Sequence, residues 1–274
     1  MDFDIHSYLD SLSKDIEHLN LSYRNLTYIP SLKRFKNLQI LDCSYNQLTS
    51  LPYLSENLRI LNCSYNQFNS LPYLSENLRI LYCMYNELTS LPDLNQNLQT
   101  LHCSNNQLTS LPPLNEKLLT LLCSYNQLTS IPHLNQNLQT LHCSYNQLTS
   151  LPPLNLNLQT LDCKHNQLTS LPSLNENLKK LFCSYNPICE IISTGMWPIR
   201  GTTLDVFKNQ IQTLNNFRHL YWCVQFKKQL KNWLWEKIRE PKIMKQYHPI
   251  NLLENLREDT DLNMFLDNLF IKYS

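Results

Sequence analysis

Glycine is almost absent: in 274 residues only Gly195 and Gly201 occur. A phosphate-cradling loop needs glycines, because its backbone amides must approach the phosphate with no side chain in the way. Rossmann and P-loop nucleotide chemistry is excluded on that ground. Charge is scarce as well: 16% of residues are charged and the formal net charge is +1. No global pull toward nucleic acid or an anionic membrane follows. No apolar run nears the ~20 residues a membrane span needs. The start, Met1-Asp2-Phe3-Asp4, is acidic with no apolar run behind it, so no signal peptide is expected. What the chain does have is 42% apolar residues and ten cysteines. The first argues against bulk disorder and for one or two domains with a sizeable core. The second, without a leader, predicts a reducing compartment and free thiols.

From Leu41 the sequence repeats every 20 residues as LxCSYNQLTSLPxLxxNLxx, with units starting at Leu41, Leu61, Leu81, Leu101, Leu121, Leu141, Leu161 and Leu181. An earlier unit starts at Leu19, is two residues longer, and has Leu21 where cysteine later stands. Such a unit cannot bury its own apolar face, so nine of them must stack. Leu41 and Cys43 are two apart, which puts both on one face of a strand and sends Asp42 and Ser44 the other way. Copies stack in parallel about 4.8 Å apart. Pro52 and its copies suit an extended return path, and 20 residues leave little room for helix. Asn46 and its copies Asn66 to Asn186 follow the strand, where a side-chain amide donates to one backbone carbonyl and accepts from another amide. Stacked, they form a ladder that satisfies the inner turn.

The pattern LxxLxCxxNxLTSLPxL resembles a leucine-rich repeat, and its length with LP after the asparagine turn is similar to the short bacterial-effector class. The resemblance implies a solenoid with a parallel β-sheet on the concave face, an extended convex side with little helix, and protein binding on the concave face. The tail from Arg239 through Pro249 to Leu256 also resembles a C-terminal segment of giant-virus repeat proteins. That would place the chain in the cytoplasm of a host cell. Effectors of the similar class often carry a much larger ubiquitin-ligase domain with a cysteine nucleophile. Here about 74 residues follow Arg200, and Cys223 lacks the acidic setting of that motif, so the activity is not carried over.

Cys43 to Cys183 recur at 20-residue intervals, which places eight thiols in one internal column. They are expected to act as small buried hydrophobes. A metal ladder would need thiolates grouped tetrahedrally around each ion. Disulfides between parallel side chains pointing the same way fit the bond geometry poorly. Cys189 and Cys223 lie outside the ladder and suit a cap and a helix.

Binding information is expected at the position after the strand leucine, which varies between copies: Asp42, Asn62, Tyr82, His102, Leu122, His142, Asp162 and Phe182. Strand alternation faces it outward, and free variation means it has no packing duty. Eight strands span on the order of 35 Å, enough for a helix or a folded partner. Tyr82, Leu122 and Phe182 could anchor one. The Ser44 copies are small and are expected to let a partner approach, with Met84 and Lys164 breaking their row. Tyr45, Tyr65, Tyr85, Tyr125, Tyr145 and Tyr185 form a second row, expected to stack on one another, with Asn105 and His165 interrupting it. His142 and Asp162 sit on adjacent strands near Lys164 and His165, but no nucleophile is specially placed there. His102 and His142 are two strands apart, roughly 10 Å, too far for one metal. Catalysis, cofactors and a small-molecule substrate are therefore not expected.

At the N-terminus, Ile5, Tyr8, Leu9, Leu12, Ile16 and Leu19 share a helical face, which predicts a cap helix within residues 1–18. The repeats run over 19–200. Residues 201–274 are expected to form a helical cap or subdomain, with Gly195, Gly201 and Trp197-Pro198 marking the turn before it. Leu204, Phe207, Ile211, Leu214 and Phe217 keep helical spacing, with a break near Asn215-Asn216. Between Lys208 and Lys245 nine Lys/Arg oppose two acids, and residues 250–270 hold five acids and one Arg. Opposite charge on successive segments suggests that they pack together. The alternative is a basic amphipathic surface with Trp222, Trp233 and Trp235 for a membrane or nucleic acid, neither of which is expected. The reading is thus a non-catalytic protein-interaction module. Its alternative is an adaptor whose tail recruits a second component, such as ubiquitin machinery or a membrane surface.

Overall fold

The computed structural model describes residues 3–188, 208–209 and 211–216. Among them are nine three-residue strands: β1 (His18–Asn20), β2 (Ile40–Asp42), β3 (Ile60–Asn62), β4 (Ile80–Tyr82), β5 (Thr100–His102), β6 (Thr120–Leu122), β7 (Thr140–His142), β8 (Thr160–Asp162) and β9 (Lys180–Phe182). Each pairs in parallel with the next, in chain order. The register advances by one repeat, so Leu41 faces Leu61 and Asp42 faces Asn62. β-Branched Ile or Thr opens β2 to β8, where the pleat favours it. The rung-to-rung bonding continues past the strands, with Cys43 N–H to Asn62 O at 2.8 Å and Tyr45 N–H to Ser64 O at 3.0 Å. The described repeats form a solenoid with an extended return side and little helix, as the repeat predicts.

Leu41, Cys43, Leu48 and Leu58 are fully buried, as are their copies through most of the stack. Phe68 replaces a Leu48-type residue and Leu21 replaces the cysteine, both without exposure. All eight ladder cysteines are buried thiols outside any disulfide. Two of them, Cys43 and Cys123, place the sulfur 3.4 Å from a carbonyl of the next rung, the weak donor role open to a thiol.

The asparagine ladder has the form expected of it. Asn66 Nδ2 donates to Cys43 O at 3.0 Å, Cys63 O at 3.2 Å and Ser64 O at 3.1 Å. Its Oδ1 accepts from Leu48 N–H at 3.0 Å. Two further amide ladders line the return side, one at the consensus asparagine before Leu58 and one at a position the consensus leaves open. Asn95, Asn115 and Asn175 each donate to the equivalent carbonyl one rung back at 2.6–2.7 Å. Asn57, Asn77, Asn97 and Asn137 donate from the rim to the carbonyl 21 residues back, one position before their own equivalent, at 2.8–2.9 Å. Extended backbone without a sheet must find partners somewhere, and these side chains supply them.

Two expectations need correction. The Ser44 row is not an open strip: Ser44, Ser64, Ser104, Ser124 and Ser144 are buried. The strand ends at Asp42, so period-two alternation does not extend to Ser44. At Ser44 itself Asp42 Oδ1 accepts from Ser44 N–H at 2.9 Å and Oγ–H at 2.6 Å, an Asx-type turn, while Ser104, Ser124 and Ser144 are buried without one. The N-terminal helix α1 spans Ile5–Ser11 and stops at Leu12, which is extended. Asp4 caps it, while Leu19 belongs to β1, because pairing with β2 claims that stretch. Asn215 and Asn216, where a break is expected, close the described helical stretch, and the chain divides into compact units between them.

Residues 208–209 and 211–216 are helical. Ile211 is buried in the core and Leu214 packs against it. Asn215 Nδ2 donates to Leu171 O at 3.0 Å, and Lys208 Nζ to Glu176 O at 3.2 Å. The expectations for Cys189, Gly195, Trp197-Pro198, Gly201 and everything beyond residue 216, Cys223 and the tryptophans included, lie outside the described residues.

Candidate functional site

The outer face of each strand is set by the buried leucine at its centre. Residues on either side of that leucine point away from the core, which gives two columns. The expected one runs in register as Asp42, Asn62, Tyr82, His102, Leu122, His142, Asp162 and Phe182. Its members are half-buried up to Asp162, and Phe182 is 46% exposed. The second column was missed: Ile40, Ile60, Ile80, Thr100, Thr120, Thr140, Thr160 and Lys180. It passes from aliphatic to hydroxyl to cationic along the sheet. Its gradual change hid it, because neighbouring copies are identical.

Side chains of the expected column interlock. Asn62 Nδ2 donates to Asp42 Oδ2 at 3.2 Å. The Tyr82 and His102 rings meet edge to face at 6.3 Å. Lys164 bridges to Asp162 at 3.4 Å and lies over the Phe182 ring at 5.4 Å. His142 pairs with Asp162 in register, but the carboxylate is engaged by Lys164. Partial burial lowers the pKa of His102, helped by His142. Burial also lowers that of His142, against the pull of Asp162. Both imidazoles are therefore neutral at pH 7.

A column on the return side varies as freely: Tyr53, Tyr73, Asp93, Pro113, His133, Pro153 and Ser173, all exposed. Variation alone is thus no mark of binding. What distinguishes the sheet column is variation combined with partial burial and mutual contact.

The tyrosines stack as expected and Tyr23 joins them. Tyr23, Tyr45, Tyr65 and Tyr85 form one pile with centroids 4.1–4.3 Å apart. Tyr125, Tyr145, His165 and Tyr185 form another at 4.0–4.2 Å. His165 does not interrupt the row; its flat ring takes a tyrosine's place. Asn105 does interrupt it. Every one of these residues has φ between 50° and 57°, a left-handed turn usually left to glycine or asparagine. In a chain this poor in glycine, tyrosine fills it, and ring stacking offsets part of the backbone cost. Burial first, then hydrogen bonding and charge from Tyr45 and Tyr85, push Tyr65 up to about 12.

The ladder thiols are no nucleophiles. Burial pushes Cys63 and Cys103 up to about 12, so thiolate is scarce at neutral pH. Among the described residues no group of three His, Cys, Asp or Glu could hold a metal ion. No helix among them is long and apolar enough to cross a membrane.

Comparison with known proteins agrees with this geometry. The Leucine Rich Repeat family model matches residues 37–56, 97–116, 137–156 and 157–176. The leucine-rich effector YopM from Yersinia pestis is similar at 30% identity and a TM-score of 0.59, over 62% of this chain and 49% of that one. The chain thus spans about half the length of YopM. A Shigella effector leucine-rich-repeat domain is similar at 29% identity and a TM-score of 0.51, over 70% of this chain and 80% of that one. The functional domain of InlJ from Listeria monocytogenes, which includes a cysteine ladder, is similar at 25% identity and a TM-score of 0.52, over 62% and 44%. No curated protein matches the sequence.

Proposed function

Since the chain is a leucine-rich-repeat solenoid of 20-residue turns, we propose that it is a non-catalytic module that binds a protein partner on the concave sheet face. One observation carries the reading. The column from Asp42 to Phe182 changes at almost every rung, yet its side chains lie in register and half-buried on one continuous wall. A wall of that kind offers a partner a different chemistry at each step. Tyr82, Leu122 and Phe182 are its apolar anchors, spaced two and three rungs apart, and Asp42, His102, His142 and Asp162 set polar matching between them. The effector relatives support an interaction role at the level of the fold. A host-cell protein as the partner, and a cytoplasmic setting, follow from the giant-virus resemblance of the tail alone.

The test is a combined Tyr82→Ala, Leu122→Ala and Phe182→Ala variant, set beside a Tyr73→Ala, His133→Ala control on the return side. Partners are crosslinked in cell lysate and quantified. Anchor truncations of about 2 kcal/mol each should cut specific capture more than tenfold, with the control unchanged. Equal capture by all three proteins, each with a wild-type urea midpoint, would sink the concave-face reading. The adaptor alternative rests on the segment beyond residue 216. In the described stretch, Ile211 buried in the core supports a capping role for residues 208–216.

A further inference from the structure

The aromatic pile has one gap of defined size. Tyr85 closes the first stack and Tyr125 opens the second, with Asn105 on the rung between. Asn105 keeps the backbone of the column, φ 57°, and is bonded through it: its N–H donates to Ser124 O at 2.9 Å and its C=O accepts from Asn86 N–H at 3.2 Å. Its carboxamide is short and half-buried. Rings one rung apart stand 4.0–4.3 Å apart in both piles, so Tyr85 and Tyr125, two rungs apart, are separated by roughly 8–9 Å. A planar group needs about 3.5 Å to a ring on each side, roughly 7 Å in all. One flat group fits and two do not. The molecule shows what such a space takes: Tyr65 lies between Tyr45 and Tyr85, and His165 between Tyr145 and Tyr185. The two walls are 45% and 49% exposed, against 39% for Tyr45 and Tyr145 inside the stacks.

Charge favours a cation. In the three rung segments that form the slot, 81–90, 101–110 and 121–130, the one charged residue is Glu87. Glu87 is exposed and stands two residues after Tyr85, where most copies have glutamine. Two facing tyrosine rings present negative quadrupoles, which favour a cation over a third neutral ring pressed face to face. Guanidinium is planar, weakly hydrated, and carries in-plane N–H donors that the Asn105 carboxamide oxygen accepts. An ammonium has the charge without the plane.

We propose that the Asn105 gap is a binding slot for a planar cation, the guanidinium of an arginine side chain on a protein partner. Naming a protein as the source rests on the concave-face reading; the chemistry of the slot does not.

The experiment uses the full chain and Nα-acetyl-arginine amide as the probe, with the lysine and tyrosine amides beside it. Binding is followed by the ring resonances of Tyr85 and Tyr125. The arginine probe should saturate with a Kd on the order of millimolar and move those two rings most. Asn105→Tyr restores the repeat consensus and fills the slot, so it should keep or raise the urea midpoint and weaken the arginine probe at least tenfold. Tyr125→Ala removes one wall and should also abolish binding, which keeps the test open if the first variant misfolds. Equal binding by Asn105→Tyr, or by the lysine probe, or tighter binding of the tyrosine probe, would overturn the assignment. The Tyr82, Leu122, Phe182 triple variant should bind the arginine probe as wild type does, so failure of the wall and failure of the slot are read separately.

Discussion

Asn126 sits in the middle of the inner-turn ladder, and replacing it tests how that ladder holds the stack. Its Nδ2 donates to Cys103 O at 3.0 Å, Cys123 O at 3.1 Å and Ser124 O at 3.3 Å. Its Oδ1 accepts from Leu108 N–H at 3.0 Å. Alanine does not strand all four groups. Cys103 O still receives Asn106, Cys123 O still receives Asn146, and Ser124 O still receives Asn105 N–H. Only the buried Leu108 N–H is left without a partner, at about 1–3 kcal/mol, while the weakened carbonyls add about 1 more. Asn126→Ala should therefore cost about 2–4 kcal/mol in urea unfolding, read by linear extrapolation. Asn126→Asp keeps the Leu108 acceptor but turns a carboxyl toward the Cys103 and Cys123 carbonyls. Those oxygens favour the protonated acid, so its folded pKa rises above the unfolded value of about 3.9. The added penalty is then absent in acid and grows as pH rises through that value. Unfolding at pH 4 and pH 7 should show the Asp variant losing ground on wild type, with the Ala variant's deficit unchanged. A loss below about 1 kcal/mol for Ala, or no pH dependence for Asp, would refute the ladder as a structural requirement.

The thiol column should be silent to a disulfide reagent in the native protein, with at most two of the ten cysteines labelled before urea is added. Cys63 and Cys103, held at about 12 by burial, keep their protons when the unfolded chain has lost them. Stability should thus fall from about pH 8.5 toward 12, by up to about 1.4 kcal/mol per pH unit for each thiol. Alkaline unfolding that Cys63→Val and Cys103→Val leave unchanged would contradict this. For His102 and His142 the sign is opposite. Their folded pKa values are lowered, so the unfolded chain takes protons first and stability is lost as pH drops below about 6.5. His102→Gln with His142→Gln should flatten that acid limb in a urea titration between pH 7 and 5.

The period itself made the fold legible. One rung could be misjudged, but Leu41 and Cys43 recur through the stack at the same offset, and only a stacked strand buries both on one face. The asparagine after the strand was legible for the same reason, since its amide had one place to go. What escaped the pattern lies where backbone geometry departs from the strand. Ser44 reads as outward on paper, yet the chain has already left the sheet. His165 reads as an interruption by residue type, while the column asks only for a flat ring. On the return side the consensus holds Asn57 but not Asn95, and the role of both escaped it because extended backbone there advertises no need that a one-dimensional pattern records. Of the candidate site, the Asp42 to Phe182 column was visible as variation. The Ile40 to Lys180 column beside it was not, because it changes by blocks and variation was the signal sought.

The identical rungs also make the length of the molecule adjustable. Leu41, Leu61 and Leu81 meet the same neighbours above and below, so recombination between any two copies removes or inserts whole turns and leaves a seam that the core cannot tell from the original. Loss of residues 101–120 would join Thr100 to Leu121, bring Tyr85 against Tyr125, and fuse the two aromatic piles into one. Lineages of this gene can therefore lengthen, shorten or close their slot by unequal crossover, without any single residue having to change.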